Sequence, residues 1–495
     1  MNQNNISTAE LFQRVRDLLT LPELEPKTRN KMMHDTLILC CHEGVKETKQ
    51  AFGNLFSQVD YLCKAHGIKV ADKIAIQTMR RHSNSQEPLS SEDLKYDARA
   101  LAIFISAVFG VDVPHELNVL IPHTNRPYQK GLEINNRRIR CIVKNWDSDF
   151  IRVDIDQDAD EEEYLVQLKD EENHIDHTYL WDILKEGMQL NLLDCQVKQP
   201  VITPRLIVVE PDYQVDISSI ATCFTAFGHH PLLYLLNQMK PRANTQATLL
   251  GNFAGAALDD IINTNGKYQM NETIKTNFRE KALEFCTCPW FDAKKFYTDA
   301  SLQAFNLQQV VDILFPRTAS QAQMSAFRGE SLYDRKKAIL EPSFVCEALG
   351  IQGRVDLMTT DCKLLVEQKS GRNMNIETHQ VDPGYHSYQL EPHYVQLLLY
   401  YGVLQHNFKL SNDRVNIRLL YSKYQPQDGL MVVAYYHKLF QEAITYRNQL
   451  VAASFEIAKE GFEHALNEFT PDVLNVAGTQ DFFYNKYLKP QIEAI

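Results

Sequence analysis

The period of the hydrophobic pattern changes twice along this chain, and that change limits what it can fold into more than any other feature. Up to about residue 115 apolar residues recur every three to four positions. Leu11, Val15, Leu18 and Leu19 follow Ser7-x-x-Glu10, a capping-box signature for a helix start. After the polar break His82–Pro88, Ser90 opens a second helix through Leu94, Ala98, Leu101 and Ile105 to Gly110. From about Ile121 the period drops to two, and beyond Pro211 helical and strand-like runs alternate. No single layer accommodates all three patterns. At 495 residues, with 44% hydrophobic side chains to fill cores, the chain is predicted to be multidomain.

Four segments follow: an N-terminal all-α segment over 1–120, a β-rich unit over 121–212, an α/β unit over 213–450, and a C-terminal helical segment over 451–495. The β-rich unit has strand signals at Arg138–Val143, Phe150–Ile155, Tyr164–Leu168, Gln189–Val197 and Leu206–Val209, with one helical turn near Trp181–Leu184. Five short strands in that length fit a small OB-like β-barrel. Such barrels often bind single strands, but here nine acids from Asp147 to Glu163 meet one Arg on one hairpin. That hairpin repels phosphate, so a structural or docking role is expected for it.

The ten cysteines are scattered with no C-x-x-C pair, the start is polar, and no run approaches the length of a membrane span. These features predict a reduced, cytoplasmic protein with no membrane partner. Cys286-Thr-Cys288 lacks a second pair at zinc spacing and reads as two half-buried thiols near Trp290. The net charge of -12 argues against a protein that simply coats nucleic acid, though not against a local groove or a carboxylate metal site.

The chemistry lies in the α/β unit, in Gly350-Ile-Gln-Gly-Arg-Val-Asp-Leu-Met358 and Lys363-Leu-Leu-Val-Glu-Gln-Lys-Ser-Gly371, joined by a polar turn. This reads as an antiparallel hairpin with Asp356 near the end of its first strand. Glu367 and Lys369, two apart on the second, leave the same sheet face. Two carboxylates and an ammonium converging there are costly unless a divalent cation joins them. Asp356, Glu367 and the Gln368 carbonyl offer the hard oxygens that Mg²⁺ (or Mn²⁺) takes, and Lys369 can orient a water or stabilise charge on a phosphate. Acid-x-Lys alone is weak, since it recurs at Glu25-Pro-Lys27 and Asp361-Cys-Lys363 among others; the preceding Asp-bearing strand sets this instance apart.

These residues resemble the PD-(D/E)XK nucleases, in their RecB-like branch. Gly353-Arg-Val-Asp356 resembles the branch's G-x-x-D strand, Glu367-Gln-Lys369-Ser-Gly371 its E-x-K-[ST]-G strand, and Gln396-Leu-Leu-Leu-Tyr400 its Q-x-x-x-Y helix. The resemblance implies an α/β PD-(D/E)XK core with a mixed sheet flanked by helices and a Mg²⁺-dependent deoxyribonuclease acting on single-stranded or flapped DNA. It implies Asp356, Glu367 and Lys369 as catalytic, with Gln396 and Tyr400 near the DNA. Arg354, Arg372 and Lys423 are candidate phosphate contacts. One element departs from the pattern: Leu250-Gly251-Asn-Phe-Ala-Gly255-Ala-Ala-Leu258-Asp259 has Gly255 where the branch's upstream helix carries a metal-site His. Water, Asp259 or a His from elsewhere, such as His229 or His230, would have to fill that place.

The layout of barrel then nuclease is also similar to the nuclease portion of replication helicase-nucleases. No Cys follows Cys362, so the iron-sulfur cluster of those enzymes is not expected here, and the only Gly-Lys dipeptide, Gly266-Lys267, is no P-loop. A helicase motor is expected in cis, beyond 451–495, or in trans. The alternatives are a catalytically decayed nuclease fold that positions DNA or a helicase, with Gly255 as its evidence, and a stand-alone defence nuclease.

Overall fold

The computed structural model describes residues 7–464 except 22, 86, 127–131, 156–162, 226–227, 240–243, 381–386, 411–413 and 462, and also residue 490. The centre of the expected acidic hairpin and most of the proposed C-terminal segment therefore lie outside the described residues. The chain is multidomain and mixed α/β.

Each change of period marks a change of architecture. Helices Thr8–Thr20, Pro26–Gly44, Leu55–Ala65, Val70–Asn84 and Ser91–Phe109 surround a core of their own that includes Leu11, Leu37, Leu62, Ile76, Leu101 and Phe104. Capping boxes at Ser7 and Ser90 satisfy the first N–H groups of two of them. The expected all-α character fails at one place. Ala51–Phe52 is a strand that pairs in parallel with Met431–Val432 and forms the edge of the main α/β sheet. Two residues are too few to carry a period, so only the tertiary fold could define this strand.

Strands Asn136–Trp146, Phe150–Ile155, Tyr164–Gln167, Val201–Val209 and Gln189–Lys198 close in that order into a five-stranded barrel. Alternate residues such as Cys141, Val143, Ile151, Val153, Leu190 and Leu192 fill its interior. Helix His437–Glu460 fastens the barrel to the α/β unit. Buried Arg447 donates to the carbonyls of Gly350 (3.1 Å), Glu210 (2.9 Å), Tyr213 (2.6 Å) and Val209, and Asn448 donates to Ile207 O at 2.8 Å. Gly350, at φ +61, is required: a methyl group there would meet the Arg447 guanidinium.

The α/β unit is built on a six-stranded mixed sheet in the order Ala51–Phe52, Leu430–Val433, Asn416–Tyr421, Leu364–Lys369, Leu357–Thr359, Ala338–Leu340. The two central strands, Leu364–Lys369 and Asn416–Tyr421, run parallel; the remaining pairs apart from the Ala51–Phe52 edge are antiparallel. Leu364 and Val366 pack towards helices Gln246–Asn263 and Ala293–Leu314, whereas Leu365 packs in the cluster of helix Glu391–Phe408 on the opposite face. By the same alternation Glu367 and Lys369 fall on the Glu391–Phe408 side.

Candidate functional site

The expected antiparallel hairpin is present, but its first strand begins only at Leu357, so Asp356 does not sit on that strand as expected. Ile351–Arg354 belongs to a separate three-stranded sheet with Ser343–Cys346 and Val215–Asp216, and only Leu357–Thr359 pairs with Leu364–Lys369. Asp356 occupies the bend between the two sheets. The neighbouring strand bends at the same level, with Glu341 at φ +48 before Pro342. Glu341 N–H donates to Asp356 O at 3.0 Å and Val355 N–H to Pro342 O at 3.3 Å, so one two-stranded ribbon turns from one sheet into the other. Such an irregularity re-aims a side chain, here the Asp356 carboxylate towards the end of the central strand.

That carboxylate accepts the Gln368 backbone N–H at 2.6 Å. The Gln368 carbonyl leaves the strand on the same side as its N–H, as strand geometry requires, and so faces the same edge. The Gln368 side chain points to the other sheet face and donates to Ser422 Oγ at 2.6 Å. Lys369 Nζ donates to Glu367 Oε1 and to Gln396 Oε1, both at 2.8 Å, so the ammonium is clamped between strand and helix. One helical turn on, Tyr400 donates to Arg354 O at 2.6 Å and its ring covers Gly353. A methyl group on Gly353 would lie 2.9 Å from that ring, which is the physical reason for glycine three residues before Asp356. Asp356, Glu367, Gln368, Lys369, Gln396 and Tyr400 are thus brought together.

The electrostatics are those of a cluster with surplus acid. Burial pushes the Glu367 carboxyl up to about 8, the Asp356 charge adding to it against the pull of Lys369. Burial also raises Asp356, against the Gln368 N–H and Lys369. Asp259, on helix Gln246–Asn263, is pushed up to about 7 by burial and then by Glu341, Asp260 and Asp356. Glu341 was not among the expected residues; only the strand pairing brings it into this field, fifteen residues before Asp356, and no sequence signal singles it out. His393, three residues before Gln396, is held neutral by burial and by Lys369, down to about 3.

A hard divalent cation fits these residues. Glu367 Oε2 is buried without a hydrogen-bond partner, an unmet acceptor beside the half-buried carboxylate of Asp356. Among the described residues no group of three or more His, Cys, Asp and Glu side chains forms a complete cage. Mg²⁺ does not need one, because it is usually held by one or two carboxylates together with substrate phosphate and water. Asp356, Glu367 and the Gln368 carbonyl would hold it.

Other expected residues are placed differently. Nothing lies within 4 Å of a Cβ built on Gly255, so the space beside this helix position is open. His229 is engaged elsewhere, 2.8 Å from Glu442 and 3.6 Å from Glu391. Gly251, on the same helix as Gly255, lets that helix approach Ser370: its Cβ would lie 3.2 Å from Ser370 Oγ. Arg354 pairs with Glu341 at 3.0 Å, and Arg372 and Lys423 share Glu377. These are surface pairs, weak enough for a phosphate to compete with. Cys286 is exposed and Cys288 buried. Among the described residues no helix is long and apolar enough to cross a membrane. No protein-family model matches this chain, and no curated protein matches it.

Proposed function

We propose that this chain is a Mg²⁺-dependent deoxyribonuclease that hydrolyses phosphodiester bonds of single-stranded or flapped DNA. One observation carries the reading: the buried, unpartnered Oε2 of Glu367 lies in a surplus-acid cluster beside an ammonium fixed at 2.8 Å from both Glu367 and Gln396. A structural ion pair matches one cation to one anion, whereas here two carboxylates share one ammonium. This cluster leaves acceptor capacity that a cation completes.

A divalent cation bound there supplies neutralisation of the scissile phosphate and a lowered pKa for the attacking water. The chain's own residues do the rest. Asp356, locked by the Gln368 N–H, and Glu367 hold their carboxylates at one edge of the sheet. Lys369 places its ammonium where charge grows on the phosphate as water attacks phosphorus in line with the departing oxygen. Gln396 and Tyr400 hold that ammonium and the Gly353-Arg354 backbone in register. A helicase motor in cis or in trans fits the same reading, since a flap or single strand must first be opened.

A specific observation keeps the second reading, a decayed nuclease that positions DNA or a helicase: Gly255 stands where the resemblance implies a ligand, and the space beside it is open. One assay separates the two. Labelled single-stranded and flap DNA is incubated with Mg²⁺ or Mn²⁺ and wild type, Lys369→Ala or Asp356→Ala. Cleavage by wild type that falls at least roughly 10²–10³-fold in both variants is expected. Equal products from all three, or none from any, would sink the enzymatic reading.

A further inference from the structure

Helix Ala282–Cys286 is followed by the turn Cys288-Pro289-Trp290, and aromatic residues on either side of that turn pack their rings together. Phe278 stacks on Phe285 at 4.0 Å, and Phe291 meets Phe296 at 5.5 Å. Trp290 stands apart. Its backbone is left-handed, at φ +58, a conformation rarely taken by bulky residues, and its indole is 97% exposed. It is the most exposed of the large hydrophobic side chains among the described residues, and an indole is the widest flat apolar surface a side chain can offer.

The indole lines an open-sided groove of about 500 Å³. Its walls come from Leu250 on helix Gln246–Asn263 and from Lys295 and Leu302 on helix Ala293–Leu314, and Ser370, Gly371 and Arg372 form its end. Those three residues directly follow Lys369, so the groove ends beside the end of the strand that carries Glu367 and Lys369. It is also preformed. Gln303, almost wholly buried on the Ala293–Leu314 helix, donates to Ser370 O at 3.0 Å, and Asn306 donates to Ser422 O at 3.0 Å, tying the wall to the ends of both central strands.

Charge alone does not identify the occupant. Lys295, Arg372 and Lys423 line the groove against Asp292 and Asp299, three cations to two carboxylates, and Glu377 beside it takes both Arg372 and Lys423. Attraction for a phosphate backbone is therefore slight, and the exposed ring decides. A base in a duplex already stacks on its neighbours, whereas an unpaired base offers a free π-face to an indole. We propose that this groove is a single-strand nucleic-acid subsite in which Trp290 stacks on an unpaired base of the strand leaving the Asp356–Glu367–Lys369 site. The assignment rests on the nuclease reading for the path of the strand, but its binding test does not.

Binding of fluorescein-labelled oligo(dT) and oligo(rU) is followed by anisotropy in EDTA, so that nothing is cut. Trp290→Ala is expected to weaken binding about ten-fold or more, Trp290→Phe to retain most of it, and Arg372→Ala to cost less than about three-fold. An abasic nucleotide at the stacking position should weaken wild-type binding about as much and leave the binding of Trp290→Ala unchanged. Dependence on salt should be shallow, with a log–log slope of roughly -1 to -2 for the one or two phosphates engaged. The oligo(rU) arm tells whether the site accepts RNA as well as DNA. Trp290→Ala binding both strands as wild type does, or no binding by wild type, overturns the proposal and leaves the exposed ring to a protein partner. The cleavage assay reports separately: binding that depends on Trp290 without cleavage retains the groove and removes the nuclease, and cleavage with binding indifferent to Trp290 does the reverse.

Discussion

Two ionic clusters lie on neighbouring central strands of one sheet, and they differ in how their charges are matched. On Asn416–Tyr421, Arg418 meets Glu330 at 2.6 Å, with both side chains almost wholly buried. On Leu364–Lys369, Lys369 meets Glu367 at 2.8 Å with Asp356 close by. Each cluster leaves one polar atom without a partner, Nη1 of Arg418 and Oε2 of Glu367. The first is one cation to one anion, so its loose end is only a missing hydrogen bond. The second has more carboxylate than ammonium, so its loose end is an acceptor in a field that already raises both acids. A balanced buried pair locates a strand; an unbalanced one is poised to take a cation.

Removing one partner from each cluster tests that contrast most severely. Glu330→Ala strands a buried guanidinium and should cost about 3–5 kcal/mol of stability in urea unfolding. Glu367→Gln keeps a partner for Lys369 while removing surplus charge, so the metal-free protein at pH 8 should be no less stable than wild type. Equal losses from the two variants would break the comparison.

The next effect is a dependence on pH. The Glu367 carboxyl titrates near 8 when folded, against an ordinary value of 4.5, so the folded chain holds a proton that the unfolded chain has released. The stability this contributes is complete below about pH 4.5 and is lost as pH rises through about 8. Between pH 5 and 8.5 the metal-free protein should lose on the order of a few kcal/mol more than Glu367→Gln does, read from urea midpoints. Mn²⁺ at one hundred times its Kd should return about 2.7 kcal/mol to wild type at pH 8 and much less to the variant. Parallel pH curves would show that Glu367 is matched after all.

The smallest effect concerns the backbone beside Asp356. In Gly353→Ala the new methyl group meets the Tyr400 ring at 2.9 Å and should cost about 1–2 kcal/mol. Its urea midpoint should shift while that of Gly255→Ala, with open space around it, stays at or above the wild-type value.

Much of the site was legible because its residues are local in sequence. Glu367 and Lys369 share a face because strands have period two, and Gln396 and Tyr400 because helices bring residues four apart together. The bend at Asp356 was not legible. The stretch from Ile351 to Thr359 reads as one short strand, and nothing local records that Ile351–Arg354 and Leu357–Thr359 serve different sheets. Glu341 was hidden for the same reason, since it reaches the cluster through the pairing of Leu340 with Leu357. The polar ends of Gln303 and Asn306, which tie the groove wall to the sheet, sit on an amphipathic helix that reads as ordinary packing.

By itself, then, the sequence determined the succession of helical, barrel and mixed regions and the two-residue and four-residue spacings that group the reactive side chains, because these follow from backbone period alone. Tertiary structure decided which strand lies beside which: that Ala51–Phe52 completes a sheet far along the chain, that Asp356 is aimed by a bend shared with Glu341, and that Lys369 is clamped by a helix from the opposite side. Those contacts join residues tens to hundreds of positions apart. Burial of the whole core selects them, and no short stretch of sequence encodes that selection.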